Sequence, residues 1–283
     1  MIPVPRLLIA IALASTAGAV LAQQHLPTTA DSVVPAPPYP DYADLVVGAP
    51  MIVDANIRAV TRLQGPDAAG VSAAQARLYI EADVLALIRG DTPLPPKITY
   101  VLDVPIDANG RFPKFRKAHV ILFARPVAQD PSSIQLVRPG AQRLWTPGGD
   151  QLTRRIVQEV IAPDAAPEIT GIGNAFHVAG DLPGAGETQI FLTTATARPV
   201  SLSIKRAPGE APIWSVALSE IADDSAHPPA RDTLLWYRLA CSLPATLPDA
   251  SLASASPEDA QIAREDYQFV IQSLGTCDRG SAF

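Results

Sequence analysis

Proline limits the length of the elements that this chain can form. It supplies 29 of the 283 residues, and each proline fixes its own φ angle and removes a backbone N–H donor. Inside a helix or a central strand, either change ends or distorts the element. The chain therefore favours short strands joined by ordered loops over long helices.

The first residues have the organisation of a secretory signal. Arg6 is followed by an apolar run from Leu7 to Ala14, and small residues then lead to Ala22. A membrane-spanning helix needs about 20 apolar residues, and this run is shorter and is broken by polar residues. We therefore predict cleavage after Ala22, with an uncleaved anchor as the alternative. The mature protein is expected to be periplasmic or secreted and not embedded in a membrane.

The net charge limits which partners the chain can attract, and the cysteines predict a covalent link within it. The formal net charge is −6, so the chain has no general electrostatic reason to bind nucleic acid.

Cys241 and Cys277 are its two cysteines. In an oxidising compartment an isolated pair predicts one structural disulfide. Closing a loop of this length stabilises an unstrained fold by about 3 to 4 kcal/mol.

Length and composition predict four segments. After a signal peptide at 1–22, residues 23–40 are polar and proline-rich and are predicted to form an extended leader;. The roughly 260 residues of the mature chain exceed the usual size of a single core, which favours two domains. We place a β-barrel domain at 41–140 and an α+β domain with the disulfide at 141–283.

Period-two alternation predicts five strands in the first domain. Its clearest case places Val53, Ala55, Ile57, Ala59 and Thr61 on one face of the first strand;. Five strands joined by short turns and one longer connection suit a small closed or Greek-key barrel, because closure removes exposed edges. The predicted strands begin near residue 53 and span residues 77–88, 97–104, 119–125 and 133–138.

The order of these strands resembles the oligonucleotide-binding-type (OB) barrel of netrin-like and metalloprotease-inhibitor domains. The resemblance is carried by the strand that ends in Leu87–Gly90 and by the late apolar strand Val120–Phe123. It implies a five-stranded OB-like barrel in about a third of the chain. Inhibitors of that type resemble wedges that chelate a target's metal through an amino-terminal cysteine. The barrel region here has no cysteine, so inhibition by that route is not implied.

Nearly all of the mature chain also resembles a family of exported alphaproteobacterial proteins of uncharacterised activity. The resemblance implies export and brings no activity with it. It is carried by four segments, namely Tyr42–Leu45, Ala76–Glu81, Leu122–Pro126 and Thr233–Cys241.

The second domain is predicted to contain an antiparallel three-stranded sheet with helices on one face. Thr146 and Pro147 begin a first helix, and Ser256 caps a last helix that ends at Gly275;. Between them, strands are predicted at 188–194, 200–206 and 213–221, followed by a helix at 231–241. The segment Gly171–Asn174 is predicted to be a flexible connection, because no capped helix clearly leaves it.

Residues that could perform chemistry are scarce. The four histidines lack metal-ligand spacing;, and no serine or cysteine has the setting of a nucleophile. We therefore predict no metal and no cofactor, and interpret the protein as an exported non-enzymatic binding or structural module of the cell envelope. The alternative is a periplasmic hydrolase whose acidic residues meet only in the fold, with Asp103 and Asp107, or Glu81 and Asp83, as candidate pairs.

One basic cluster stands out in this acidic chain. It follows the predicted Asn109–Gly110 turn and interleaves basic residues with Phe112 and Phe115. Such a pattern can hold an anionic polymer through charge and stacking, so an anionic cell-wall polymer is a candidate partner beside another envelope protein. The alternative is a solvated loop whose phenylalanines plug the barrel end. The basic residues are Arg111, Lys114, Arg116 and Lys117.

Overall fold

The computed structural model describes residues 37–218 and 226–280. The predicted signal peptide and residues 23–36 of the predicted leader lie outside these ranges. The described residues group into one compact unit by contacts between their Cα atoms. Within the described ranges, no helix has both the length and the apolar character needed to cross a bilayer.

The first element is helix α1 (Tyr39–Gly48), which includes the last two residues of the predicted leader at 23–40. Pro40 lies in its first turn, where a missing N–H costs nothing because the first helical N–H groups have no partner in the helix. The helix buries Tyr42, Leu45 and Val46. The last part of the proline-rich segment is therefore packed structure rather than extended leader.

The first sheet closes into a five-stranded barrel, as predicted. Its strands follow the order β1-β2-β3-β5-β4, and β4 pairs with β1 to complete the ring. All of these pairings are antiparallel except that of β3 with β5. A sixth strand extends the sheet beside β4. The strands are β1 (Met51–Arg62), β2 (Gln75–Arg89), β3 (Lys97–Pro105), β4 (His119–Val127), β5 (Asp130–Leu136) and β6 (Gln142–Leu144).

The predicted alternation in β1 is wrong beyond Ile57. The register shifts between Ile57 and Ala59, so that Val60 packs against the barrel core and Thr61 is exposed. A bulge inserts one extra residue and so moves every later side chain to the opposite face. Period-two reasoning from the first half of the strand cannot detect such an insertion.

The rest of the chain forms a four-stranded antiparallel sheet with helices, so the fold is mixed β and α+β. The sheet order is β10-β9-β8-β7. The predicted number of three strands is therefore wrong by one. The elements are α2 (Pro147–Ile161), β7 (Ile169–Ala179), β8 (Gly186–Thr194), β9 (Val200–Arg206), β10 (Ile213–Ala217), α3 (Leu234–Ala240) and α4 (Pro257–Leu274).

The strand missing from the prediction is β7, which contains the supposed flexible connection Gly171–Asn174. Its glycines face the neighbouring strand β8 closely. A Cβ atom on Gly171 would lie 3.1 Å from Oγ1 of Thr193, and one on Gly173 would lie 3.4 Å from the carbonyl oxygen of Phe191. The glycines thus permit close pairing at a strand with register shifts;, which is the opposite of a flexible connection.

The helix caps and the disulfide agree with the sequence prediction. The Thr146 side chain accepts a hydrogen bond from the backbone N–H of Gly149, and Ser256 accepts one from Asp259;. Helix α4 ends at Gly275, which has a positive φ of 70°;. A disulfide joins Cys241, just after α3, to Cys277, just after α4.

A single hydrophobic cluster connects the barrel to the second sheet. Ile52, Ile121 and Phe123 point outward from the barrel wall and are fully or almost fully buried in this cluster. They share it with Ile156 of α2, with the inner face of the second sheet and with α4. The barrel therefore has a core of its own and a second core that it shares with the rest of the fold.

Candidate functional site

The predicted basic cluster lies in the loop 106–118, which connects β3 to β4 at one end of the barrel. Asp107 holds the start of this loop, because its Oδ1 accepts hydrogen bonds of 2.8 Å from the backbone N–H groups of Asn109 and Arg111. The other end is tied to β1, where the N–H of Lys117 donates to the carbonyl oxygen of Ile57 at 2.8 Å. The loop is therefore anchored at both ends.

Five basic side chains surround this end of the barrel. Four come from the predicted cluster and are exposed, and Arg62 joins them by donating from one guanidinium nitrogen to the carbonyl oxygen of Gly110 at 3.3 Å. Within the described part of the chain, no carboxylate forms an ion pair with any of the five. We call this group the basic surface, which consists of Arg62, Arg111, Lys114, Arg116 and Lys117.

The aromatic residues of the loop have a structural part as well. Phe112 and Phe115 are partly buried and pack against the barrel core. Their packing attaches the loop to the barrel core. These rings can therefore stack on a ligand only through the parts that remain exposed. The basic surface would bind an anionic ligand mainly through its charge.

Two of the candidate acidic residues are in contact with arginine side chains. Asp103 accepts two hydrogen bonds of 2.8 Å from the guanidinium group of Arg77, and these hydrogen bonds lower the pKa of the carboxyl group;. Asp83 lies 3.9 Å from Arg58. The lowered pKa of Asp103 is that of a structural carboxylate, since a general acid needs a raised pKa;. No group of three metal-ligating side chains occurs among the residues that the structure describes.

Pairing of β1 with β4 gives His119 a partner that sequence spacing did not reveal. Its Nε2 atom lies 2.5 Å from Oδ1 of Asp54, and its ring stacks on Trp145 at a centroid distance of 4.6 Å. Asp54 is 65 residues away along the chain, so only the strand register brings the two together. The imidazole is held between a carboxylate and an indole, which satisfies it within the fold.

A second histidine belongs to a longer hydrogen-bonded chain. Nδ1 of His177 lies 2.9 Å from the hydroxyl of Thr188, and that hydroxyl donates to the carboxylate of Asp266. The other oxygen of Asp266 accepts a hydrogen bond of 2.6 Å from Arg206. Thr188 and Asp266 are fully buried, whereas His177 lines a cleft of about 420 Å³.

Sequence reasoning missed this chain of contacts because its members lie far apart. Thr188 and Asp266 are separated by 78 residues, and only the packing of α4 on the sheet joins them. One signal was available: Asp266 lies on the apolar face of α4, next to Tyr267 and four residues before Val270. A carboxylate on a buried helical face needs a polar partner, so its position indicated a buried polar contact.

Comparison with known proteins adds no assignment. No protein-family model matches the chain, and no curated protein matches it. The functional argument therefore depends on the geometry described above.

Proposed function

We propose that this protein is an exported, non-enzymatic binding module of the cell envelope that holds an anionic cell-wall polymer on its basic surface. The proposal depends on one observation, namely five cationic side chains at one barrel end without a carboxylate partner in the described part of the chain. A polymer that carries repeated negative charges can contact several of these side chains at once. Such multivalent contacts add up although each is weak in water.

The barrel supports the proposal through its topology. The closed five-stranded barrel has the strand order β1-β2-β3-β5-β4, with β3 and β5 parallel, and we take it to be of the OB-like class that the sequence resembles. Barrels of this class bind oligonucleotides and oligosaccharides on their surface. Since the chain as a whole is acidic, a local basic surface favours recognition of a particular anionic partner over general attraction to polyanions.

Export is the second part of the proposal. The signal-like residues 1–22 and the resemblance to exported alphaproteobacterial proteins support it, and so does the disulfide between Cys241 and Cys277. Disulfides persist in the periplasm and outside the cell, where thiols are oxidised. Anionic wall polymers occur in the same compartments as the proposed module.

The rival function, a hydrolase that uses paired carboxylates, receives less support. Asp103 is bound to Arg77 and Asp107 accepts hydrogen bonds from its own loop. Hydrogen bonds from Arg77 hold the pKa of Asp103 below its ordinary value, whereas a general acid needs a raised pKa. A binding module therefore explains the observed contacts better than an acid–base site.

The proposal is tested by changing the charge of the basic surface. Protein purified from the periplasm is mixed with peptidoglycan, or with polygalacturonate as a soluble anionic polysaccharide, and binding is measured from 20 to 500 mM salt. The double variant Lys114→Gln and Arg116→Gln should bind about thirtyfold more weakly at low salt, because each of the two charges contributes on the order of 1 kcal/mol near an anionic surface. Salt should weaken binding of the unchanged protein.

A matched control changes one lysine and one arginine elsewhere on the barrel. Lys97 begins β3 and Arg125 lies near the end of β4, so both are distant along their strands from the basic loop. The double variant Lys97→Gln and Arg125→Gln should retain binding. Equal losses in the two double variants, or full binding by the first, would remove the proposal, as would equal binding of neutral dextran.

A further inference from the structure

The strongest unassigned feature of the fold is the cleft beside the β7–β8 hairpin. This cleft is lined by His177 and Arg206, by the hairpin residues 179–185, and by Glu258 and Ile262 of α4. Gly186 leaves room for the imidazole ring, since a Cβ atom there would lie 2.5 Å from Cε1 and 2.7 Å from Nε2 of His177. A side chain at position 186 would therefore displace the ring that lines the cleft.

Hydrogen bonding fixes which nitrogen of His177 carries the proton. The Thr188 hydroxyl has one proton and donates it to Asp266, so it can only accept from the imidazole. Nδ1 of His177 must then be the donor in the contact of 2.9 Å. In the neutral ring, Nε2 is left as a hydrogen-bond acceptor, and among the described residues the imidazole is hydrogen-bonded through Nδ1.

The charges around the cleft are predominantly negative. Asp181 and Glu258 line it, and Glu265 lies 3.7 Å from Arg206. The guanidinium group of Arg206 is the one cationic side chain among the lining residues, and it is already bound to the buried carboxylate of Asp266. A ligand that enters the cleft therefore meets acceptors and negative charge. A cationic hydrogen-bond donor suits this setting.

The apolar part of the lining restricts the rest of the ligand. Leu182, Pro183 and Ile262 contribute carbon surface, and Leu182 is 62% exposed. A volume of about 420 Å³ lies at the lower end of the range for small-molecule sites. A short alkyl chain would cover this carbon surface while its charged end reaches His177.

We propose that this cleft binds a small primary alkylammonium ligand, with Nε2 of His177 and the carboxylate of Glu258 accepting hydrogen bonds from the ammonium group. Asp266 and Thr188 act as positioning residues, because they hold the imidazole in the accepting tautomer and do not touch the ligand. This site lies on the second sheet, so it is separate from the basic surface. Its test therefore does not depend on the proposed polymer binding.

The experiment uses 1,5-diaminopentane as the probe and ¹⁵N NMR of the histidines as the readout. At a pH at which the imidazole is neutral, His177 in the free protein should show a protonated Nδ1 and an unprotonated Nε2. Addition of the diamine should shift the Nε2 resonance saturably, with a dissociation constant of roughly 1 mM, as expected for a ligand of few atoms. Glutarate, a dicarboxylate of the same chain length, should produce no saturable shift.

Two variants test the assigned contacts. Glu258→Gln lies at an exposed position and should weaken diamine binding at least threefold, whereas Glu210→Gln, in the exposed turn between β9 and β10, should leave it unchanged. His177→Phe keeps a ring but removes the acceptor and should abolish saturable binding, as measured by calorimetry. A proton found on Nε2 instead of Nδ1, equal binding by Glu258→Gln, or preference for glutarate would overturn the proposal.

Discussion

Asp44 is the residue at which three separate parts of the chain are tied together. Its carboxylate, on α1, accepts hydrogen bonds from the hydroxyl of Tyr237 at 2.6 Å and from the guanidinium group of Arg279 at 2.9 Å. Burial alone would raise the pKa of Asp44, but the hydrogen bonds from Arg279 and Tyr237 outweigh it and lower the pKa below its usual 3.8;. The ionised form of Asp44 therefore stabilises the fold.

Replacing this carboxylate should weaken the fold in a pH-dependent way. Asp44→Asn should lower the free energy of unfolding at pH 7 by about 1.5 to 3 kcal/mol, the range for hydrogen bonds to charged groups. Because the pKa is lowered in the folded state, the contribution is complete above the unfolded pKa of 3.8 and is lost as the pH falls through the folded pKa. Urea unfolding at pH 7 and pH 3 should show the gap between variant and unchanged protein narrowing at pH 3.

Asp278 provides the control for this prediction. It lies 3.8 Å from Arg231, and its side chain is 75% exposed, so Asp278→Asn should match the unchanged protein at both pH values. If Asp44→Asn behaved like the control, or if its effect grew at pH 3, the stabilising role of the ionised carboxylate would be wrong.

At the level of elements, local sequence patterns were sufficient to predict some helices and strands and failed to predict others. The strand β9 and the starts of α2 and α4 follow from the chain around them, because alternation and the caps Thr146 and Ser256 are read within a few residues. The strand β7 was missed because Gly171 and Gly173 have little intrinsic strand preference. Their place in the sheet is decided by side chains and backbone of β8, which lie about 20 residues away in the sequence.

The β7–β8 hairpin should be sensitive to one added methyl group. In Gly186→Ala the new Cβ would lie 2.5 Å from His177 Cε1 and 2.9 Å from the backbone oxygen of Val178. Moving the ring relieves only the first contact, so the variant should lose about 1 to 3 kcal/mol of unfolding free energy. Gly148→Ala is the control, since its Cβ meets only Pro37 at 3.8 Å and alanine favours the helix. Thermal unfolding that ranks the two variants equally would contradict this packing.

At the scale of the whole molecule, the candidate sites differ in how far the sequence revealed them. The basic surface is mostly contiguous, so its four loop residues were found by composition alone. Arg62 and the partners of His177 were not, because they are brought in by strand pairing and by the packing of α4 on the sheet. Contacts between distant segments depend on the complete fold. They cannot be predicted from residue patterns within one segment of the sequence.

The hydrophobic cluster that the barrel shares with the second sheet leads to a prediction about how the predicted domains at 41–140 and 141–283 unfold. Phe123 is fully buried outside the barrel, in the cluster that also contains the second sheet and α4. If that cluster couples the two halves, they should unfold in one cooperative transition. Native-state hydrogen exchange should then give the slowest amides of β2 and those of β8 the same free energy of opening.

The variant Phe123→Ala separates one cooperative unit from two. It should lower the free energy of opening by about 3 to 5 kcal/mol, as expected for a large buried aromatic side chain, and by the same amount in β2 and in β8. Ile98→Ala, which removes a side chain from the barrel's own core, should likewise weaken both strands because neither half remains folded without the other. Loss confined to β2 in the Ile98 variant would show that 41–140 and 141–283 fold independently and that the shared cluster is only an interface between them.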